Sequence, residues 1–159
     1  MKWPLMTEEE LHEFGIQVIL PYIKEEDVTI ESVNTKLTVK PQIIGRRWDH
    51  PAYIFVRTVC YPGKASLSPA EAESAIKWAD YHGAIAFFAA VEIVCSNYPD
   101  KSPVSDPSHH SLPIRYGGFF VYYEGLLMMT MSHRVQVLGD GEGLPKRANV
   151  GEFRERNRN

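Results

Sequence analysis

The spacing of apolar and polar positions changes several times along this chain, and the changes mark out its elements. From Leu11 the apolar residues recur at helical spacing, as Leu11, Phe14, Val18 and Tyr22, and Ile19 and Ile23 widen them into a stripe broad enough to be buried. Thr7 with Glu10 three residues later predicts a capping box at the start, and the run of Glu suits the positive end of the helix dipole. Pro21 predicts a stop or a kink near the end. From Val28 to Arg47 the pattern becomes a loose alternation of β-branched and aliphatic residues, Val28, Ile30, Val33, Leu37, Val39, Ile43 and Ile44. One or two strands are expected there, with Pro41 at an edge position or bulge. Gly45 to Pro51 has turn composition at both ends, and Ala52 to Tyr61 resumes as a strand, so a hairpin is the economical reading.

Ser68-Pro69-Ala70-Glu71 is the sharpest local signal: a capping Ser, Pro at the first helical position and Glu three residues after the cap. Ala72, Ala75, Ile76 and Ala79 give this helix a stripe of mostly small residues that suits close packing on a sheet, and His82-Gly83 closes it. Ala84 to Cys95, apolar except for Glu92, reads as a central strand covered on both faces. A crossover through the helix makes it the parallel neighbour of the 52–61 strand. Residues 96–115, with Pro99, Pro103, Pro107 and Pro113, read as a long surface loop, a lid or an excursion, with little regular structure. Gly117 to Met131 reads as one long strand, or two meeting at Glu124-Gly125, and a short strand is expected at Arg134 to Leu138. The fold class is therefore α/β, a single mixed sheet flanked by helices. Residues 1–138 form a single α/β domain, and residues 139–159 a flexible basic C-terminal tail.

Composition changes this picture little. At 159 residues with 44% hydrophobic and 23% charged, the chain suits one core and excludes a fibrous or wholly disordered protein. The opening residues are acidic and lack a continuous apolar run, which argues against a secretory signal; no run approaches a membrane span, and the cytoplasm is the expected location. Cys60 and Cys95 each lie in an apolar run and are expected as buried thiols. Charge matters more. Residues 1–31 carry two Lys against eight Asp and Glu, whereas residues 36–64 carry Lys36, Lys40, Arg46, Arg47, Arg57 and Lys64 against Asp49 alone. A basic hairpin is expected, either as a solvated, guarded sheet edge or as a contact for a polyanion.

Few residues present themselves for chemistry. His109-His110 with Asp100 and Asp106 follow no structural zinc spacing and are expected as exposed loop residues. No serine lies in a nucleophile elbow, and Gly139 to Gly143 lacks the strand and helix that a phosphate loop needs. Glu92 and Glu124, isolated in apolar runs, must face solvent, pair with a cation or be protonated. Trp48, Tyr53, Trp78 and Tyr81 either fill the core or form an aromatic patch beside Arg46, Arg47 and Arg57.

The order helix, strands, hairpin strand, helix, strand resembles the αβββαβ core of the restriction-endonuclease-like superfamily, the PD-(D/E)xK nucleases. Residues 49–95 carry the likeness: Tyr53 to Val59, then Tyr61-Pro62-Gly63-Lys64, the Ser68-capped helix and Gly83 to Phe88 follow one another as in that core. The resemblance implies carboxylates converging on Mg2+ with a Lys nearby. Asp49 matches the first acid by order, but Phe55 falls where the second acid would be and Arg57 where the Lys would be. Phenylalanine cannot ligate a hard cation. The resemblance thus implies a non-catalytic binding domain with no cofactor, which meets a protein or nucleic-acid partner through Arg46, Arg47, Trp48 and Arg57 and engages no membrane. Two alternatives stand beside it. One is a Mg2+-dependent nuclease with a displaced acid, in which Glu31 joins Asp49 as a catalytic residue; the other is a small immunity-type or interaction protein that uses its acidic N-terminal helix.

Overall fold

Both helices begin where their caps place them. The computed structural model describes residues 3–130. Helix α1 spans Glu8–Lys24, with the Glu10 N–H donating to Thr7 Oγ1 at 3.1 Å and the Thr7 N–H donating to the Glu10 carboxylate at 2.9 Å. Helix α2 spans Pro69–Tyr81 and repeats the device with Ser68 and Glu71. Pro21 does not stop α1, which runs on to Lys24, Pro21 facing solvent while Ile23 is fully buried. One lost hydrogen bond on the solvent side is offset by burial on the other.

The strands are β1 (Val28–Val33), β2 (Ile43–Arg47), β3 (His50–Cys60), β4 (Ile85–Asn97), β5 (Gly118–Tyr122) and β6 (Leu127–Met129). They form one open, mixed, six-stranded sheet in the order β1-β2-β3-β4-β5, with β6 also on β4. Among the described residues only the β3–β4 pair is parallel, joined through α2 as the apolar run after a Gly-terminated helix led one to expect. Leu37 and Val39 fall outside both strands, in the connection from β1 to β2, and Pro41 lies just before β2. The region after Gly117 divides into β5 and β6 around Gly125, whose φ is +105°. They lie end to end along one side of β4, with Glu92↔Tyr122 in one pairing and Phe88↔Leu127 in the other.

Side chains alternate between two faces. Ile54, Val56, Phe87, Ala89, Val91 and Ile93 face α1 and join Ile16, Ile19 and Ile23 in the larger core. Phe55, Ala86 and Phe88 face α2 and its alanines in the smaller one. α1 meets the sheet at close range because residue 15 is Gly: a Cβ there would lie 1.7 Å from Thr58 Oγ1.

Residues 96–115 hold more structure than their Pro and Ser content led one to expect. A 3-10 helix covers Pro107–Ser111, Asp106 and Asp100 cap the turns beside Ser108 and Ser102, and Ile114 is completely buried. Trp3 stacks on Tyr98 with ring centroids 5.3 Å apart, and Leu5 bridges to Ile114. Local side-chain caps thus replace the ladder that the prolines forbid. The strand expected at 134–138 and the tail at 139–159 lie outside the described residues. Among the described residues no helix is long and apolar enough to cross a membrane.

Candidate functional site

α2 rests mainly on β4, and β2 stops pairing with β3 at Ile43↔Ile54. Between them a cleft of about 610 Å3 opens along β3. Phe55, Val56 and Arg57 line its floor, Glu71, Ser74, Ala75 and Trp78 of α2 one wall, and Thr38, Lys40 and Gln42 the other.

Arg57 is fixed rather than free. Its guanidinium donates to both carboxylate oxygens of Glu71, at 3.2 and 2.7 Å, and to the Ser66 carbonyl at 2.8 Å. Glu71 also accepts the Ser68 N–H at 2.9 Å. The Arg57 hydrogen bond, followed by that from the Ser68 backbone, holds the Glu71 carboxyl down at about 2. The capping residue of α2 therefore also ties the helix to β3. Gln42, only 3% exposed, fills the place that β2 vacates: its side-chain carbonyl accepts the Val56 N–H at 2.7 Å, and its amide donates to the Val39 carbonyl at 3.1 Å.

The hairpin turn is narrower than its composition suggested, only Trp48 and Asp49, at φ +52° and +67°. Both angles positive is the arrangement that matches strand twist in a two-residue loop. The turn and the alternation of β2 send the expected binding residues in different directions. Arg47 turns to the α1 face: its Nε–H donates to the Glu26 carbonyl at 3.1 Å, and its guanidinium lies 4.2 Å from the Trp48 ring centre and 5.0 Å from that of Phe87. Trp48 packs edge-on to Phe87 at 6.0 Å and remains 54% exposed. Glu26, 4.0 Å from Arg47, accepts the Tyr123 hydroxyl at 2.6 Å and the Leu126 N–H at 2.9 Å. Burial first, and the Glu26 charge second, push the Tyr123 phenol far up, so it stays a donor. Arg46 points the other way, exposed, donating to the Asp49 carbonyl at 2.8 Å. Arg46, Arg47 and Arg57 thus occupy three separate settings.

The two acids proposed for a metal stand apart. Asp49 is exposed in the turn, and Glu31 is the exposed bulge residue of β1, between Ile30↔Gly45 and Ser32↔Ile44. At ~3.3 Å per residue, that places Glu31 roughly 10 Å along the sheet from the turn. Among the described residues no three His, Cys, Asp or Glu gather as a metal site would require.

The aromatic residues divide similarly. Tyr53, Trp78 and Tyr81 surround His82 at the end of α2, with ring centres 5.7, 4.5 and 5.0 Å from it, whereas Trp48 sits on the opposite face. Trp78 is 50% exposed and Tyr81 82%. Of the isolated acids, Glu92 accepts the Ala65 N–H at 3.3 Å and so anchors the loop before α2, and Glu124 is exposed. The histidines expected in solvent are half-buried: His109 shares a 2.8 Å hydrogen bond with the Tyr98 hydroxyl, and His110 one of 2.8 Å with the Cys95 carbonyl. Cys95 is buried and Cys60 half-buried, burial pushing the Cys60 thiol up.

Gln42 and Glu26 went unnoticed in the sequence. Gln42 is a lone polar residue between Pro41 and the apolar start of β2, a faint signal; Glu26 is hidden in an acidic helix exit. The model of the family described as "Domain of unknown function (DUF8840)" matches residues 9–129, from the first turn of α1 to the last residue of β6, and the chain belongs to that family. No curated protein and no solved structure matches it.

Proposed function

We propose that this DUF8840 domain is a non-catalytic binding domain built on a restriction-endonuclease-like core, and that it takes a protein partner on the α2 face of its sheet. One observation carries the reading. Where nucleases of that architecture place an acid and a lysine on the hairpin strand, this chain has Phe55 in the cleft floor and an arginine gripped by Glu71. A ring cannot ligate Mg2+, and a guanidinium that is held by a carboxylate and stays protonated is not a proton-transfer group.

The choice of a protein over a nucleic acid follows from how the cations are used. Arg47 and Arg57 are engaged with Glu26 and Glu71, so the hairpin does not present a continuous basic surface. Exposed Trp78 and Tyr81 are residue types that dominate protein hot spots. Incubating the full chain with plasmid and with Mg2+ or Mn2+ tests the reading, and no cleavage is expected. Cleavage that Asp49→Ala abolishes would falsify it in favour of the nuclease. Oligonucleotide retention that weakens with salt and with Arg46→Ala/Arg47→Ala would move the partner to nucleic acid.

A further inference from the structure

We infer that the stretch of β3 beyond β2 is a strand-addition site for an extended acidic segment of a partner protein; this rests on the binding-domain reading above. The register supplies the first argument. The Ile54 carbonyl accepts the Gln42 N–H at 3.1 Å, and the Val56 N–H donates to the Gln42 side chain. Residues 54 and 56 therefore turn their backbone groups away from β4, while the Tyr61 N–H donates to Ile93 of β4 at 2.8 Å. The two-residue repeat of an unbroken β3–β4 register turns Thr58 outward as well. Among the described residues nothing bonds the Val56 carbonyl or the Thr58 N–H and carbonyl on that side. Three backbone groups in a row thus lack a strand, and such an edge is a template for pairing.

The surroundings of this edge select the occupant. The cleft lies along it, with Phe55 and Trp78 offering apolar surface to alternate side chains of an added strand. Charge supplies the second argument. Arg57 is already neutralised by Glu71, but Lys40 lines the cleft and has no carboxylate within ion-pair reach among the described residues. A carboxylate on the incoming segment complements it. Gln42 fixes the register of addition, because its side chain already occupies the Val56 N–H and leaves the groups beyond it open. Phosphodiesters would find one cation here and no row of positive charge, whereas a polypeptide supplies the alternating N–H and C=O that the edge lacks.

Selecting a random library of short linear peptides on the immobilised full chain tests this. Enriched peptides are expected to alternate apolar and acidic residues. Synthetic copies should lose about tenfold in affinity, the worth of a backbone hydrogen bond, when N-methylated at alternate amides in one register, and little in the other. Lys40→Glu should weaken them by a similar factor. Binding that N-methylation leaves untouched in both registers overturns strand addition but keeps the binding domain. Failure to enrich any peptide overturns the inference, and joined to metal-dependent cleavage of plasmid it overturns the function proposed above too.

Discussion

The two faces of the sheet use the same strands to different ends. Phe87 and Phe88 are neighbours in β4, both buried, yet one lies in the core under α1 and the other under the alanine stripe of α2. Beneath α1, a long helix with a broad apolar stripe covers the sheet, and even the arginine that arrives there, Arg47, is absorbed by Glu26, Trp48 and Phe87. Beneath α2, a short helix with small residues rests more on β4 than on β3, which leaves a cleft along β3 and exposed aromatic residues. The contrast teaches that the closed core and the open cleft are divided by the parity of the side chains along β3. Its even side chains Ile54 and Val56 close the larger core; its odd side chains Phe55 and Arg57 face the cleft.

The sharpest way to break this comparison is to empty each face in turn. Phe87→Ala should cost about 4 kcal/mol in urea unfolding, and Phe55→Ala, at the rim of an open cleft that water can enter, about 3 kcal/mol or less. A reversed order would undo the division. Gly15→Ala comes next. Helix propensity alone favours Ala by up to about 1 kcal/mol, but the new methyl would stand 2.6 Å from Thr58 Cβ, so a net loss of about 2 kcal/mol is expected. Arg47→Ala takes the cation from beside a half-buried Glu26, which keeps its Tyr123 and Leu126 hydrogen bonds, and should cost about 2 kcal/mol; under the proposed function it leaves partner binding unchanged.

The α2 face answers to acid instead. Glu71 is held at about 2 by Arg57, below the ordinary carboxylate value of 4.5, so its contribution is fully present above that value. It should fade as pH falls from 4.5 towards 2, narrowing the stability gap between wild type and Glu71→Gln across that window. The smallest effect concerns the turn. Asp49 sits at φ +67°, so Asp49→Gly should raise stability by about 0.5 kcal/mol in the same unfolding assay. Under the proposed function it should also leave binding intact, although it removes the best-placed acid of the nuclease alternative.

What could be read in advance follows the range of the interactions. Thr7 with Glu10 and Ser68 with Glu71 act over three residues, and both caps were visible. The apolar run of β4 and the small residues of α2 gave the parallel pair. Arg57 and Glu71 were each visible but not as partners, because they meet only after the crossover folds α2 back over β3. Arg47 and Glu26 are 21 residues apart, and Gln42 and Val56 are 14 apart. Their meeting depends on where β2 ends, which composition does not encode. The basic run is split between the two faces for a simpler reason: Arg46 and Arg47 are adjacent in a strand and so must point to opposite faces.

Strand β4 gives the molecule an axis of opening. Residues 86–88 are paired with β3 on one side and β6 on the other, and residues 92 and 93 with β3 and β5. To release those amides, both halves of the sheet must come away together. In deuterium exchange they should be the last protons to leave, at the rate of whole-domain unfolding. The edge of β3 beyond β2 should exchange far sooner, so that the surface proposed for a partner strand is also the one that breathes first.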